Sequence, residues 1–183
     1  MIVRDEQRER VVEALARHLL ATGLSQTSLR QLAAAAGVSD RMLLYYFTDK
    51  TEVLAGVMQR LAGEMAAHLG QAIPDGAILS PGQLIARAAR MVIDDTFRPY
   101  MRLWIEVVAA AARDAAPFAE IGGQVTAGFL AWIEAHLDPA TTPDIEGVAA
   151  MILALVDGLA LVEVCAGRDR ALAAVKMLER DGL

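Results

Sequence analysis

Between positions 27 and 54 the sequence places hydroxyl, guanidinium, phenol and ammonium groups at spacings that suit the binding of a polyanion. The segment reads TSLRQLAAAAGVSDRMLLYYFTDKTEVL, which predicts a short helix, a turn at Gly37 and a second short helix. Three of the nine aromatic residues in the chain are consecutive here, at Tyr45, Tyr46 and Phe47. Two short helices joined around a glycine can present the second helix to the major groove of DNA. The segment therefore predicts a nucleic-acid-binding site.

The first turn of the second short helix holds the residues that we expect to meet base edges: Ser39, Asp40, Arg41 and Met42. Arg41 can bind a guanine in bidentate fashion, and Met42 can touch a thymine methyl group. Asp40 can accept from a cytosine amine, cap the helix or orient Arg41. The alternative for Arg41 is a solvated surface charge.

Other polar groups of the segment suit the phosphate backbone. Thr27 and Ser28 lie at a helix N-terminus, where free amides and hydroxyls can bind a phosphate oxygen, although simple capping is an alternative and both roles are compatible. Lys50 lies in the first turn of a later helix, where its charge is unfavourable for the helix dipole. That position indicates a role outside the fold.

Composition favours a single all-helical protein. The 183 residues are 55% hydrophobic, and long alternating β-branched segments are absent from the sequence. The opening, MIVRDEQRER, lacks the apolar core of a signal peptide, and the one cysteine, Cys165, cannot form an internal disulfide. A cytoplasmic protein is therefore expected. Cys165 lies in an apolar helical run, which predicts a buried side chain.

The net charge of −6 is unevenly distributed along the chain. Residues 1–60 contain eight basic and seven acidic residues, whereas the remaining residues contain nine basic and sixteen acidic ones. A near-neutral N-terminal region can bind DNA through a few placed cations and backbone amides. It also predicts weak non-specific affinity and a small salt dependence.

Capping and periodicity signals predict nine helices and no sheet. Ser28 with Gln31, Asp49 with Glu52, and the Ser80–Gln83 segment have the form of capping boxes, and Ser39 caps another helix. The expected helices cover about residues 4–22, 28–36, 39–46, 49–73, 81–95, 99–117, 118–137, 144–167 and 169–180.

One apolar run, at positions 147–167, is long enough to span a bilayer. Asp157 lies at its middle and Glu163 further on, and a central acid costs roughly 2.5–3.5 kcal/mol on insertion. We therefore expect a core or interface helix and no membrane association.

The pattern from Val11 to Leu54 resembles the tetracycline-repressor (TetR) family of bacterial transcription regulators. It combines an apolar first helix that ends at Gly23, then TSLRQLAAAAGVS, then LLYYF followed by Lys50. The resemblance implies a three-helix helix-turn-helix domain at 1–48 and a helical ligand-binding and dimerisation domain at 49–183. It also implies that Tyr45, Tyr46 and Lys50 contact DNA phosphates and that Phe47 anchors the core. Leu44 replaces an aromatic residue that many relatives have.

The implied mechanism needs a homodimer, because one helix-turn-helix reads too few base pairs of a double-stranded operator. Two recognition helices would lie about 34–36 Å apart on a pseudo-palindromic site. In this family the last two helices form an intermolecular four-helix bundle. The candidate interface residues are Met151, Leu155, Gly158, Leu159, Val162, Leu172, Val175 and Leu178, for which an intramolecular core is the alternative.

The resemblance also implies a sensor pocket between the fourth and eighth helices. Its candidate lining is apolar and predicts a hydrophobic small-molecule effector: Met58, Leu61, Met65, Met91, Met101, Trp104, Val108, Ile121, Val125, Phe129, Trp132 and Leu155. Asp94, Asp95 and Glu106 could add polarity there, although solvent exposure is their default. Effector binding would tilt the fourth helix, change the spacing of the DNA-binding domains and release the operator.

Two other classes of protein were weighed. An enzyme is disfavoured because His18, His68 and His136 are far apart in sequence and no nucleophile elbow or metal-spaced cluster is present, so neither a cofactor nor a metal is expected. The second is a small-molecule carrier or interaction protein with a non-functional DNA-binding domain. The sequence does not distinguish repression from activation, and it specifies neither the effector, the operator and its genes, nor the number of dimers per operator.

Overall fold

The structure is a computed structural model that describes the backbone of residues 2–181 and the side chains of residues 4–24 and 27–180. This part of the chain forms nine α-helices: α1 Ile2–Thr22, α2 Leu29–Ala35, α3 Asp40–Tyr46, α4 Lys50–Ala72, α5 Pro81–Val92, α6 Arg98–Ala111, α7 Phe118–His136, α8 Ile145–Ala166 and α9 Arg168–Asp181. Its one β-type pairing is an isolated bridge between Leu79 and Leu137. The prediction of an all-α fold is confirmed.

The helix ends differ from the predicted ones where short polar turns intervene. Helix α5 ends at Val92, three residues early, because the Asp94 side chain accepts a hydrogen bond from the Thr96 amide at 2.8 Å and holds a turn. The same bond lowers the pKa of Asp94. A 3-10 turn at Gly23–Gln26, which the sequence signals did not indicate, joins α1 to α2.

The caps of the helices are mostly those that the sequence predicted. Ser28 and Ser80 each form a complete capping box, with Gln31 and Gln83 respectively, and Ser39 accepts from the Met42 amide at 3.1 Å. Ser28, not Thr27, is therefore the cap of α2. At α4, Asp49 accepts from the Glu52 amide at 2.9 Å as expected. The reciprocal bond was predicted wrongly, as the Glu52 carboxylate binds Thr48, one residue earlier.

The chain divides into two compact units. The first comprises residues up to Met65 together with Leu103–Gly123, and the second comprises Ala66–Arg102 together with the residues from Gln124 onward. In the first unit, α1 to α3 and the start of α4 bury a shared core. Its largest fully buried side chains are Leu15, Leu19, Leu32, Leu43, Phe47, Val53, Leu54 and Val57.

The second unit has its own apolar cluster, to which α5, α7 and α8 contribute. It consists of Ile73, Leu79, Leu84, Ile85, Ile133, Leu137, Ala149 and Ile152. The bridge between the α4–α5 and α7–α8 connections closes one side, since the Leu79 amide donates to the His136 carbonyl at 2.8 Å. Glu163 of α8, with only 7% of its side chain exposed, pairs with Arg98 of α6 at 3.0 Å.

Helix α8 is long and apolar enough to span a membrane by length and composition alone, and it is the one such helix in the described residues. Only 22% of its most apolar 18-residue stretch is buried within the chain. Cys165, near its end, is exposed. The prediction of a buried cysteine is therefore wrong for the single chain, in which the side chains of residues 164–166 are all exposed.

Candidate nucleic-acid interface

The turn between α2 and α3 is set by a left-handed glycine. Gly37 has φ +68°, and the amides of Gly37 and Val38 donate to the carbonyls of Ala34 and Ala33 at 3.1 and 3.0 Å. These bonds satisfy the last carbonyls of α2, and the positive φ is one that residues with a Cβ rarely adopt. The chain can therefore turn within four residues from α2 into α3, as a helix-turn-helix requires.

Helix α3 has a sharply divided surface. Leu43 is fully buried, and Phe47, directly after the helix, is 1% exposed; both anchor α3 on the core of the first unit. Apart from the half-buried Tyr46, the residues between and before them face solvent: Ser39, Asp40, Arg41, Met42, Leu44 and Tyr45 are all exposed. The predicted base-reading residues therefore lie together on one accessible surface at the start of α3.

Two of the predicted phosphate contacts have hydroxyl protons that are already engaged. Thr27 is half-buried and donates its hydroxyl to the Leu24 carbonyl at 3.1 Å. Ser28 is exposed and donates its hydroxyl to the Gln31 side chain. A phosphate that accepts from either hydroxyl would therefore have to replace its present acceptor.

The burial of the aromatic residues fits the roles that the resemblance implied for them. Tyr45 is 58% exposed, Tyr46 is half-buried, and their rings meet edge to face with centroids 5.4 Å apart. Lys50 is exposed at the first position of α4. The tyrosine hydroxyls and the lysine ammonium are thus close in sequence to the exposed edge of α3.

The charges of the first unit are sorted between paired and free cations. Arg8, Arg17 and Arg60 form ion pairs with acids of α1 and α4. Among the residues with described side chains, no ion pair involves Arg30, Arg41 or Lys50. Three cations on and beside the helix-turn-helix are therefore without an ion pair among the described side chains, as are Arg4 and Arg10 of α1 and Arg113 after α6.

Glu52 lies in the first turn of α4, and its carboxylate is held by groups of the same unit. Its carboxylate accepts from both the side chain and the backbone amide of Thr48, the latter at 2.6 Å, and lies 3.9 Å from Arg8. The hydrogen bonds from Thr48 lower the pKa of Glu52, so this carboxyl stays ionised.

The candidate effector-binding residues differ in burial. Met58, Leu61, Met101 and Ile121 are buried, while Val108 is 44% exposed. The others are half-buried: Met65, Met91, Trp104, Val125, Phe129, Trp132 and Leu155. Trp132 and Leu155 pack on the apolar cluster of the second unit. Asp94, Asp95 and Glu106 are all exposed, which is the default expected of these acids.

The candidate dimer residues are divided between core and surface. Leu159 and Val175 are buried, whereas Met151 and Val162 are 52% and 36% exposed. Leu155, Gly158, Leu172 and Leu178 are half-buried. Three exposed apolar residues of α8 and α9 were missing from the prediction, at Leu161, Val164 and Met177.

Sequence reasoning also missed the contacts of three polar residues. Arg4 of α1 contacts Tyr45, and Glu106 of α6 accepts from the Leu24 amide at 2.7 Å. Both contacts join positions far apart in sequence, so no local pattern could indicate them. His136, which is 4% exposed, bonds the Trp132 carbonyl through Nδ1 at 2.7 Å, and its Nε2 has no partner among the described residues. Because a carbonyl only accepts, Nδ1 carries a proton in this contact.

The described residues contain no group of three or more His, Cys, Asp or Glu side chains that could hold a metal ion. The exposed polar surface at the start of α3 is therefore the main candidate site among the described residues.

Two family models match this sequence. Residues 12–57 match the bacterial regulatory proteins of the TetR family, and residues 81–180 match the C-terminal region of BetI-type transcriptional repressors. The second match alone covers more than half of the chain. The chain therefore belongs to the TetR family of transcription regulators, with a DNA-binding helix-turn-helix in α2 and α3.

Solved structures share this fold at low sequence identity. A transcriptional regulator from Rhodococcus sp. Rha1 is 24% identical with a TM-score of 0.72, over 94% of this chain and 93% of that chain. A TetR transcription regulator from Haloarcula marismortui is 16% identical with a TM-score of 0.72, over 96% of each chain. The multidrug binding protein EbrR, complexed with proflavin, is 21% identical with a TM-score of 0.61, over 94% and 99%. No curated protein sequence matches the chain at a significant level.

Proposed function

We propose that this protein is a cytoplasmic, ligand-responsive repressor that binds a palindromic operator sequence-specifically and leaves it when a hydrophobic small molecule binds. The observation that carries the proposal is the exposed polar start of α3, where Asp40, Arg41 and Met42 face solvent while Leu43 anchors the helix. A helix so anchored can enter the major groove with its first turn foremost.

Within that surface, Arg41 is the residue expected to read a base. It is exposed and, in the part of the chain with described side chains, forms no ion pair, so its guanidinium can make a bidentate contact with guanine O6 and N7. Tyr45, Tyr46 and Lys50 would contact the phosphates on either side, and Thr27 and Ser28 lie where the N-terminal turn of α2 would meet another phosphate. Such contacts fix the register of the protein on the duplex.

We infer the chemical character of the effector from the apolar candidate residues of α4 to α8. Half-buried aromatic residues such as Trp132 and Phe129 suit a largely apolar molecule. The EbrR complex with proflavin supports a small-molecule ligand for this fold, although the identity is too low to transfer that ligand. We assign DNA binding to residues 1–48 and effector binding and dimerisation to residues 49–183.

The test is a binding titration with duplex DNA from upstream of the chain's own coding sequence, at two salt concentrations. The wild-type protein should give a salt-sensitive, sequence-specific shift. Arg41→Ala should lose about 1–3 kcal/mol of discrimination against a scrambled duplex, because one bidentate base contact is removed. Helix content by circular dichroism and the oligomeric state should not change.

Arg17→Ala is the matched control, since Arg17 is an exposed arginine of α1 that pairs with Glu13 at 3.3 Å, away from α3. It should bind the operator like the wild type. Unchanged discrimination in Arg41→Ala would remove Arg41 from base reading. A wild-type chain that shows no salt-sensitive shift would instead favour the carrier or interaction protein.

A further inference from the structure

Arg4, near the start of α1, lies against the C-terminal end of the recognition helix α3. One guanidinium nitrogen donates to the Tyr45 carbonyl at 3.1 Å, and the guanidinium carbon lies 4.8 Å from the centre of the Tyr45 ring. From this contact we propose that Arg4 is a DNA-contacting residue, which binds the same stretch of phosphate backbone as the Tyr45 hydroxyl. The inference rests on the proposed DNA-binding function.

The position of the guanidinium follows from the chemistry of a helix end. The last carbonyls of α3 have no partner within the helix, and the end of the helix carries partial negative charge. A cation that bonds one of these carbonyls is held there, and the face of an aromatic ring attracts it as well. Tyr45 therefore provides Arg4 with two attachment points, its carbonyl and its ring.

This attachment brings the positive charge close to the Tyr45 hydroxyl. A guanidinium 4.8 Å from the ring centre lies within about one Debye length, about 8 Å at physiological salt, of an anion at that hydroxyl. Both groups are accessible, because Arg4 is exposed and Tyr45 is 58% exposed. A phosphate that accepts from the tyrosine would therefore be neutralised by Arg4.

Arg8, one helical turn later, shows what distinguishes Arg4. Its guanidinium lies over the Phe47 ring at 4.7 Å, a similar geometry, but it also lies 3.9 Å from the Glu52 carboxylate. Phe47 has no hydroxyl and is 1% exposed. Arg8 thus packs on a core aromatic ring and pairs with an acid of the same unit. By contrast, no described carboxylate pairs with Arg4, so its charge stays available to a polyanion.

The experiment measures operator affinity against salt concentration for the wild type, Arg4→Met, Arg4→Gln and Arg4→Lys. Each phosphate neutralised contributes about 0.9 to the slope of log affinity against log salt. Arg4→Met and Arg4→Gln should therefore lower the slope by about 1, and their affinity deficit should shrink about 3.5-fold between about 50 and about 200 mM salt. The loss should be equal on the operator and on a scrambled duplex, and Arg4→Lys should keep the wild-type slope.

Arg17→Ala, which removes a cation of the same helix that pairs with Glu13, should keep the wild-type slope as well. If Arg4→Met and Arg4→Gln keep the wild-type slope while their melting temperature falls, Arg4 only caps α3 and the inference is overturned. A wild-type protein with no salt-sensitive binding would overturn the proposed function and this inference together. A normal wild-type slope with unchanged Arg4 variants would overturn this inference alone.

Discussion

Gly23 ends α1 with a left-handed backbone, at φ +67°, and the next amide, that of Leu24, donates to the Glu106 carboxylate at 2.7 Å. A Cβ on residue 23 would lie 2.7 Å from the carboxylate carbon of Glu106 and closer still to one of its oxygens. The glycine is thus required twice, for its dihedral angle and for the close approach of a side chain from α6. The sequence indicated the first requirement, as a helix stop, but not the second.

We therefore expect Gly23→Ala to destabilise the protein by more than its dihedral angle alone explains. A Cβ at positive φ costs roughly 1–2 kcal/mol, and displacement of Glu106 adds the loss of a charge-assisted hydrogen bond. Urea denaturation should show a smaller loss in the double variant Gly23→Ala/Glu106→Ala than the sum of the two single losses.

Gly37→Ala is the matched control, because Gly37 has φ +68° and a Cβ there would have no neighbouring atom of another residue within 4 Å. It should lose only the cost of the dihedral angle. Equal losses at Gly23 and Gly37, or strict additivity with Glu106→Ala, would show that the carboxylate does not constrain this turn.

At the scale of the elements, the sequence predicted the helices wherever the signal is local. Ser28, Ser39, Asp49 and Ser80 cap helices as expected, because each bond joins positions three residues apart. The start of α3 was also predictable as an exposed surface, since Ser39, Asp40 and Arg41 are three consecutive polar residues at the start of a helix. The contacts of Arg4 and Glu106 were not, because each joins residues far apart in sequence and depends on how the helices pack together.

The start of α4 gives a pH-dependent prediction. The pKa of Glu52 is lowered, first by the Thr48 hydroxyl and then by the Thr48 amide. A carboxyl with a lowered folded-state pKa adds stability above its ordinary pKa of 4.5, and this stability is lost as the pH falls through the lowered value. Thr48→Ala should therefore reduce the free energy of unfolding at neutral pH, and the difference from the wild type should shrink at a pH of about 3.

The magnitude at neutral pH should be modest, because 43% of the Glu52 side chain is exposed and solvent screens the interaction. Thr51→Ala changes an exposed threonine of the same helix and should show no such pH-dependent difference. Glu52→Gln should abolish the pH-dependent part in both backgrounds. A Thr48→Ala deficit that stays constant between the two pH values would rule out this carboxyl as its source.

At the scale of the whole molecule, several large apolar side chains of α8 and α9 are exposed in the described chain. Met151, Leu161, Val162 and Val164 of α8 and Met177 of α9 are between 36% and 55% exposed. Contiguous exposed apolar residues on soluble proteins mark interaction sites. Cys165 lies near the same residues of α8. The sequence places it in an apolar run, but its side chain is exposed in the single chain. Helical periodicity cannot distinguish a face buried in the chain from one buried against a partner.

We expect this face to form the homodimer interface, and Met151→Glu tests that expectation. A charge introduced at the centre of an apolar interface is left unpaired and desolvated, so the dimer should dissociate. Light scattering coupled to size-exclusion chromatography should show about twice the chain mass for the wild type and the mass of one chain for the variant. Operator affinity should fall with it, because a single helix-turn-helix reads too few base pairs.

Ile78→Glu provides a control of the same chemistry, since Ile78 is 53% exposed against 52% for Met151 but precedes α5 rather than lying on α8. It should stay dimeric and bind DNA normally. Val162→Glu, about three helical turns along α8 from Met151 on the same face and 36% exposed, should behave like Met151→Glu. A dimer that survives both α8 substitutions would place the interface on another surface, whereas dissociation in the Ile78 variant alone would place it beside the start of α5. Dissociation that occurs only in the α8 variants would indicate that two protomers meet through the exposed residues of α8. That contact would then set the spacing of the two recognition helices on one operator.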